Sequence, residues 1–455
     1  MTSTKDRVAA AEVPRTLAEP APRALGMLDQ LGMWGNLGVS LLGFSGALYV
    51  LWPTAGAPLY FGAAVLAIVL GTVLGTLGVA VAAVPGAETG SPAMVLLRGV
   101  FGAQLSWFPT ILNVVQLLGW TTFELVTIST ALQEITSGVP RWVFVLIGGV
   151  ITTALALRPL GWIRVLRRYV TVLVIVALGY LAVQLLRNPL PSLFGHGTWT
   201  GFWIAVDTVV AVAVSYVPVA ADYSRHSRRV RDAAVGTFAG YSITQILCYG
   251  IGLIALLTVA HGDANKVFGA FIAVPLGTLV FAVLAVRELD QSFVDTYSAA
   301  VSVQNIGPRL DRRLLAIVVG GLATLLALAL NIYDYENFLI LLGSVFVPLL
   351  GVLVVDYFWI SRRQWNLSES APARWLMLVP WLAGFVAYQL INPGVIGWWS
   401  RMWTDLRWFD LQSWMSASIL SFLVAAAVTV PIGLTERALA ERVDRNARAH
   451  PSGGR

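Results

Sequence analysis

Twelve apolar runs, each close to bilayer-crossing length, follow one another along the 455-residue chain with only short polar links between them. They fall at 33–52, 58–84, 100–133, 141–158, 165–187, 199–220, 233–260, 267–287 (continuing to about 303), 312–331, 336–360, 374–391 and 413–435. About 20 apolar residues cross the hydrocarbon core as a helix. Lipid cannot satisfy open backbone groups, so runs like these must be helical. Charged residues are 12% of the chain, against about 25% in a soluble domain. Half the usual charge cannot cover a water-facing globule of this size. The chain therefore reads as an all-α integral membrane protein with twelve transmembrane helices. A single soluble core, a disordered chain and a disulfide-stapled secreted domain are excluded.

Twelve spans place both termini on one side, and the basic residues test the alternation. With a cytoplasmic N-terminus, 24 of the 30 Lys and Arg fall in cytoplasmic segments, among them Arg98, Arg158, Arg225, Arg228, Arg229, Arg312, Arg362, Arg374 and Arg437. Arg141, Arg187, Lys266, Arg401 and Arg407 fall outside, and Arg287 lies within a span. A missed helix would scramble this order. The net charge of +6 is thus a topology signal, and no nucleic-acid partner is expected. The polar, Pro/Ala-rich N-terminus lacks the apolar core of a signal peptide. Residues 1–32 and 436–455 read as cytoplasmic tails of a multi-pass inner (plasma) membrane protein in contact with lipid.

Enzymatic chemistry has no visible seat. The single cysteine, Cys248, builds neither a disulfide framework nor a thiolate metal site. His196, His226, His261 and His450 show no ligand spacing, and no nucleophile–base pair stands out, so neither an enzyme nor a cofactor is expected. Trp398, Trp399, Trp403, Trp408 and Trp414 read as interfacial belt residues.

Two spans are interrupted. Span one carries Gly35, Gly38, Gly43 and Gly46, and span six carries Pro218. Glycine loosens a helix and proline removes a donor. Either alone is ordinary close packing. Together, five helices apart, they match the discontinuous helices that mark transporter binding sites, where freed carbonyls face a cation and helix ends face a solute. Span three places Asn113, Gln116, Trp120 and Glu124 on one face by their three-four-four spacing. Asn113 and Gln116 also suit helix–helix hydrogen bonding. A carboxylate deep in a span implies a cavity or a partner. Span eight continues into Asp290 and Asp295, which are either solvated or, given the apolar residues that follow, buried. Arg287 and Glu288 suit a structural ion pair near the outer side.

The stretches VQLLGWTTFELVTI, SYVPVAADYSRHSRR and YENFLILLGSVFVPLLGVLVVDYF resemble the nucleobase–cation symporter-1 family of purine–cytosine permease-like carriers. The Tyr-Glu-Asn-Phe-Leu start of span ten, with the run from Asp295 to Asn305, is most similar to the hydroxymethylpyrimidine branch linked to thiamine salvage. The resemblance implies a LeuT-like fold: five-helix repeats at 33–187 and 199–360, inverted relative to each other, and two extra helices at 374–435. It implies alternating access coupled to Na+ or H+. It implies substrate contacts from Phe44 and Ser45 at the span-one break, Gln116, Trp120 and Glu124 on span three, Ser215 and Tyr216 on span six, and Asp295 on span eight. It also implies a cation or proton-coupling site near Leu41, Phe44, Val286, Leu289 and Asp290. There Leu289 and Asp290 replace the family's hydroxyl pair, so a carboxylate either binds Na+ or carries a proton.

The resulting expectation is symport of a planar heterocycle, most nearly an aminopyrimidine such as hydroxymethylpyrimidine or cytosine. The Glu124 carboxylate accepts from an amino edge and the Trp120 indole stacks on the ring. The alternatives are an amino acid or osmolyte carrier on the same fold, and a non-transporting membrane sensor.

Overall fold

The computed structural model describes residues 12–54, 56–136, 138–165, 169–260, 267–330, 335–394 and 396–449. Lys5, Arg7, Arg167, Arg168, His261, Lys266, His450 and Arg455 lie outside the described residues. Among the described residues the chain is helical and forms no β-strand. In order the helices are α1 (Met27–Leu37), α2 (Leu41–Leu51), α3 (Phe61–Thr89), α4 (Ala93–Phe101), α5 (Trp107–Ile135), α6 (Arg141–Ala156) and α7 (Pro159–Val165). They continue as α8 (Thr171–Leu185), α9 (Phe202–Val214), α10 (Ala220–Ser224), α11 (Val230–Thr258), α12 (Val267–Ile272) and α13 (Gly277–Arg287). The last are α14 (Leu289–Ile306), α15 (Arg312–Ala329), α16 (Tyr335–Val355), α17 (Leu378–Ile391), α18 (Gly397–Leu406) and α19 (Ala417–Ala449).

Among the described residues, seven helical stretches are long and apolar enough to cross a membrane by length and composition, at 61–89, 107–133, 202–224, 230–258, 312–329, 340–360 and 417–439. Three shorter apolar helices lie at 141–156, 171–185 and 375–391. Expected spans one and eight are each two helices in series, α1–α2 and α13–α14. Boundaries differ from the sequence reading. α19 runs on to Ala449, past the expected end at 435. Span one begins at Met27, so the expected tail of 1–32 is shorter by one helical turn and more. The run that starts near 100 is divided, because Gly102 turns the chain at φ +86. A Cβ there would lie 2.1 Å from the Pro372 carbonyl, so only glycine fits this corner and α5 begins afresh at Trp107.

The packing joins distant spans. α1 lies along α11, α9 along α3, and α14 along α5. Small residues permit this approach. Gly71, Gly75 and Gly86 of α3 sit against Val209, Ala213 and Ala221 of span six, with no room for a Cβ. One helix thereby supports both segments of the interrupted span. α18 buries none of its residues, and Trp398, Trp408 and Trp414 are exposed, as belt residues would be.

Residues 12–26 are not free. Leu17 donates to Pro308, Arg312 to the Arg15 carbonyl, Leu25 to His226 and Arg228 to Leu25, all through backbone N–H groups. The Glu12 carboxylate accepts from the Leu160 and Gly161 amides, each at 2.9 Å. This segment therefore runs across the arginine-rich face and touches three of its loops.

Candidate functional site

Both expected interruptions exist. Span six leaves α-helix after Val214, passes Ser215 and Tyr216, makes a 3-10 turn at Val217–Val219 and resumes as α10. Pro218 lacks the N–H a continuous helix would use there. The backbone groups this exposes are answered from span three. Gln116 donates to the Ser215 carbonyl at 3.1 Å and to the Asn113 oxygen at 2.8 Å. Asn113 reaches the Pro218 carbonyl at 3.4 Å and the Ser302 hydroxyl at 2.9 Å. The helix–helix bonding role for these two residues is thus realised at the break itself. Ser215 takes part through its carbonyl, while its hydroxyl donates back to Val212 at 2.7 Å.

Span one opens at Gly38, Val39 and Ser40, between α1 and α2. This corrects the expected position at Phe44 and Ser45, which sit one turn inside α2. Gly38 marks the break because its position admits no side chain. A Cβ would meet the Thr244 hydroxyl at 2.2 Å and the Tyr241 carbonyl at 2.7 Å. Phe44 turns away to pack on Phe271 of α12, ring centroids 4.9 Å apart.

A narrow buried cavity of about 20 Å³ lies between the two breaks, room for about a single water. Span three contributes Trp120 and Glu124, span six contributes Tyr216, and the span-one break contributes Gly38 and Ser40. Three expected contacts therefore meet at one place. Trp120 stands edge-on to Phe338, 5.3 Å between centroids. Phe338 belongs to the start of span ten quoted above. Tyr216 is held edge-on by Tyr241 at 5.3 Å and Trp34 at 6.1 Å.

The remaining wall was not read from the sequence. Tyr241, Gln245 and Tyr249 of α11 and Gln291 of α14 line the same cavity. The signal was available: 241, 245 and 249 are spaced four apart and share one helix face, as Gln291 does with Asp295.

Glu124 is 2% exposed. The charged groups acting on it are Asp295, then Glu288 and Arg287. Asp295 and Asp290 are both buried, which decides against the solvated reading of that stretch. Asp295 stands close to Glu124 without lining the cavity. The Oε2 of Glu124 and the Oε1 of Gln245 have no hydrogen-bond partner, nor does the Oε1 of Gln116 beside them. The amide orientations follow from their bonds, because Gln245 nitrogen donates to Val209 and Gln116 nitrogen to Ser215. Buried polar atoms are almost always paired. A cavity walled by an indole and edged by bare acceptor oxygens offers partners to N–H groups.

The expected cation site does not assemble. Asp290 points to α7, where its carboxylate accepts from the Trp162 indole at 3.2 Å. Leu289 packs on α6 at Gly148, and Val286 is 52% exposed on the outer surface of the bundle. Leu41 and Phe44 are both on α2, but the span-eight groups that face the break are Arg287, Glu288 and Gln291. Gln291 donates to the Leu37 carbonyl at 2.6 Å and the Val39 carbonyl at 3.0 Å. Arg287 donates to the Asn36 and Val39 carbonyls, and Glu288 accepts from the Leu41 amide. The Arg287–Glu288 pair exists, at 3.0 Å, and lies against the span-one break.

Residues 44–374 match the family described as a permease for cytosine/purines, uracil, thiamine and allantoin. The hydantoin permease of Microbacterium maritypicum is 25% identical over 60% of this chain, an alignment that spans 62% of that relative's length. The cytosine permease of Escherichia coli K12 is 23% identical over 75% of this chain and 82% of its own. Among solved structures, a nucleobase–cation–symport-1 family transporter, closed with bromovinylhydantoin bound, superposes with a TM-score of 0.74 at 17% identity, covering 95% of this chain and 96% of that one. A Na+-coupled sialic acid symporter gives 0.64 at 12% identity, covering 96% and 93%. These likenesses show a shared fold.

Proposed function

The chain belongs to the permease family for cytosine/purines, uracil, thiamine and allantoin, and we propose that within it the protein is a multi-pass membrane carrier of an aminopyrimidine. Its solute is a flat ring with an amino edge, of which hydroxymethylpyrimidine and cytosine are the nearest examples. It works by alternating access on twelve spans, with five-helix repeats at 33–187 and 199–360, two accessory helices at 374–435 and both termini in the cytoplasm.

One observation carries the choice of solute. The unpaired oxygens at the cavity are Glu124 Oε2 and Gln245 Oε1, and the Gln245 oxygen is fixed there by its nitrogen's bond to Val209. An exocyclic amine next to a ring N–H supplies donors to both. The Trp120 face supplies stacking. An amino acid or osmolyte would bring a carboxylate to a cavity lined by Glu124 and by no Lys or Arg, so that alternative is disfavoured.

The cavity is small for such a ring, so loading requires Trp120, Tyr216 or the α2 segment to move. Uptake of radiolabelled solutes in cells lacking other carriers tests the reading. Cytosine or hydroxymethylpyrimidine should compete, and uracil should compete less well. Glu124→Gln should lose most of its preference for the amino-bearing ring. Full retention of that preference would remove Glu124 from recognition. Binding to the purified protein without accumulation in proteoliposomes would favour a sensor.

A further inference from the structure

The opening in span one has two poles. The carbonyls at the end of α1 form its negative end and the first amide of α2 its positive end. Span eight answers each with a group of opposite sign. The Arg287 guanidinium donates to the Asn36 and Val39 carbonyls, with the Gln291 amide on Leu37 and Val39. The Glu288 carboxylate accepts from the Leu41 amide and closes on Arg287 at 3.0 Å. Both side chains are 2% exposed.

We infer that Arg287 is this protein's resident cation, seated on the carbonyls that the span-one break frees, and that the carrier therefore runs without Na+. The inference rests on the carrier reading above. The donor chemistry leads to it. Carbonyls freed by a helix break are cation ligands, and here they already accept from five-donor guanidinium and amide nitrogens. An incoming Na+ would have to displace a guanidinium that is bonded to two carbonyls and paired with a carboxylate. The displaced arginine would then keep Glu288 but lose both carbonyl acceptors, leaving buried N–H donors unpaired, which protein interiors penalise. The carboxylate that might have drawn Na+ instead, Asp290, is turned to Trp162 on the far side of span eight.

The test begins with the wild-type protein in detergent, free of solute. Its thermal midpoint in sodium chloride should equal that in choline chloride at the same ionic strength, because an ion that binds only the folded state raises the midpoint. A saturable, Na+-specific rise would overturn the inference. In cells or proteoliposomes, replacing Na+ outside should leave uptake unchanged, and a severalfold stimulation by an inward Na+ gradient would again overturn it. Absence of uptake with and without Na+ would count against the carrier reading alone, since the thermal comparison still decides on Arg287. Arg287→Ala supplies an independent readout. Millimolar guanidinium or Na+ should raise its midpoint while leaving the wild type unmoved. An Arg287→Ala protein that folds and responds to neither would show that the carbonyls are not a cation seat.

Discussion

The Gln116 amide donates to the Ser215 carbonyl at 3.1 Å, so the open turn of span six is closed by a side chain from span three. The same helix carries Trp120 and Glu124 one and two turns further on.

Gln116→Leu removes that bond and leaves the Ser215 carbonyl buried without a donor. A loss of about 1–3 kcal/mol is expected for such a group. The thermal midpoint should fall, and apparent solute affinity should weaken although Gln116 does not itself line the cavity. Gln116→Glu keeps an acceptor but no donor and should behave like the leucine variant. Thermal unfolding and uptake kinetics measured side by side check both.

Trp120→Phe should retain transport with a modest rise in KM, because a ring still faces the cavity. Trp120→Ala removes the stacking surface, worth about 0.5–1.5 kcal/mol, so affinity should fall by about two- to tenfold. Concentration dependence of initial uptake rates distinguishes the two.

Gly38→Ala places a methyl where the Thr244 hydroxyl and the Tyr241 carbonyl already stand. The variant should express poorly or lose uptake. Adding Thr244→Ala should restore little, because the backbone carbonyl at 2.7 Å cannot be mutated away. A double variant with full activity would show that the break tolerates a side chain.

Asp207 in α9 accepts from the Ser416 hydroxyl at 2.5 Å, the Ala417 amide at 2.7 Å and the Ser418 amide at 3.1 Å. It caps the first turn of α19 from another helix. Asp207→Ala should cost about 1–3 kcal/mol through the orphaned amides. The loss should appear in the midpoint of unfolding, with solute selectivity unchanged.

His226, in the loop after span six, bridges two partners. Its Nδ1 lies 3.0 Å from the Pro22 carbonyl, and its Nε2 accepts from Arg225 at 3.2 Å. Both bonds require the neutral ring with the proton on Nδ1. Burial, and then the Arg225 charge, hold its pKa well below the usual histidine value. The unfolded chain protonates near pH 6.5 while the folded one does not. Stability should therefore be level above about pH 6.5 and fall as the pH drops below it. His226→Asn should start less stable and show a flatter acid limb in thermal unfolding across that range.

The spans and their polar stripe were legible because both depend on local pattern. Apolar length sets a span, and the spacing of Asn113, Gln116, Trp120 and Glu124 sets a face. The two interruptions were legible as candidates from Gly38 and Pro218. Which of four glycines opens span one was not. That choice is made by α11, whose Tyr241 and Thr244 come within contact of Gly38, and by Arg287 and Gln291, which satisfy the carbonyls it frees. The span-eight contacts were misread for a related reason. The chain tightens at Glu288 between α13 and α14, and the two residues from Glu288 to Asp290 turn the helix by about 200°, so Glu288 faces the span-one break while the buried Asp290 faces Trp162 of α7. Tyr241, Gln245 and Tyr249 were passed over because tyrosine and glutamine at helical spacing look like ordinary packing until the opposite wall is known.

Residues 12–26 lie across the loops that follow spans four, six and eight, bonded largely through backbone atoms. The backbone bonds do not depend on side-chain identity, so point substitutions away from Glu12 and Arg23, whose side chains also anchor the stretch, should be well tolerated while deletion of it should not. If the arginine-rich face must part to release cargo, the strand has to peel away first, like tape across a seam. Its grip would then govern how often that door opens.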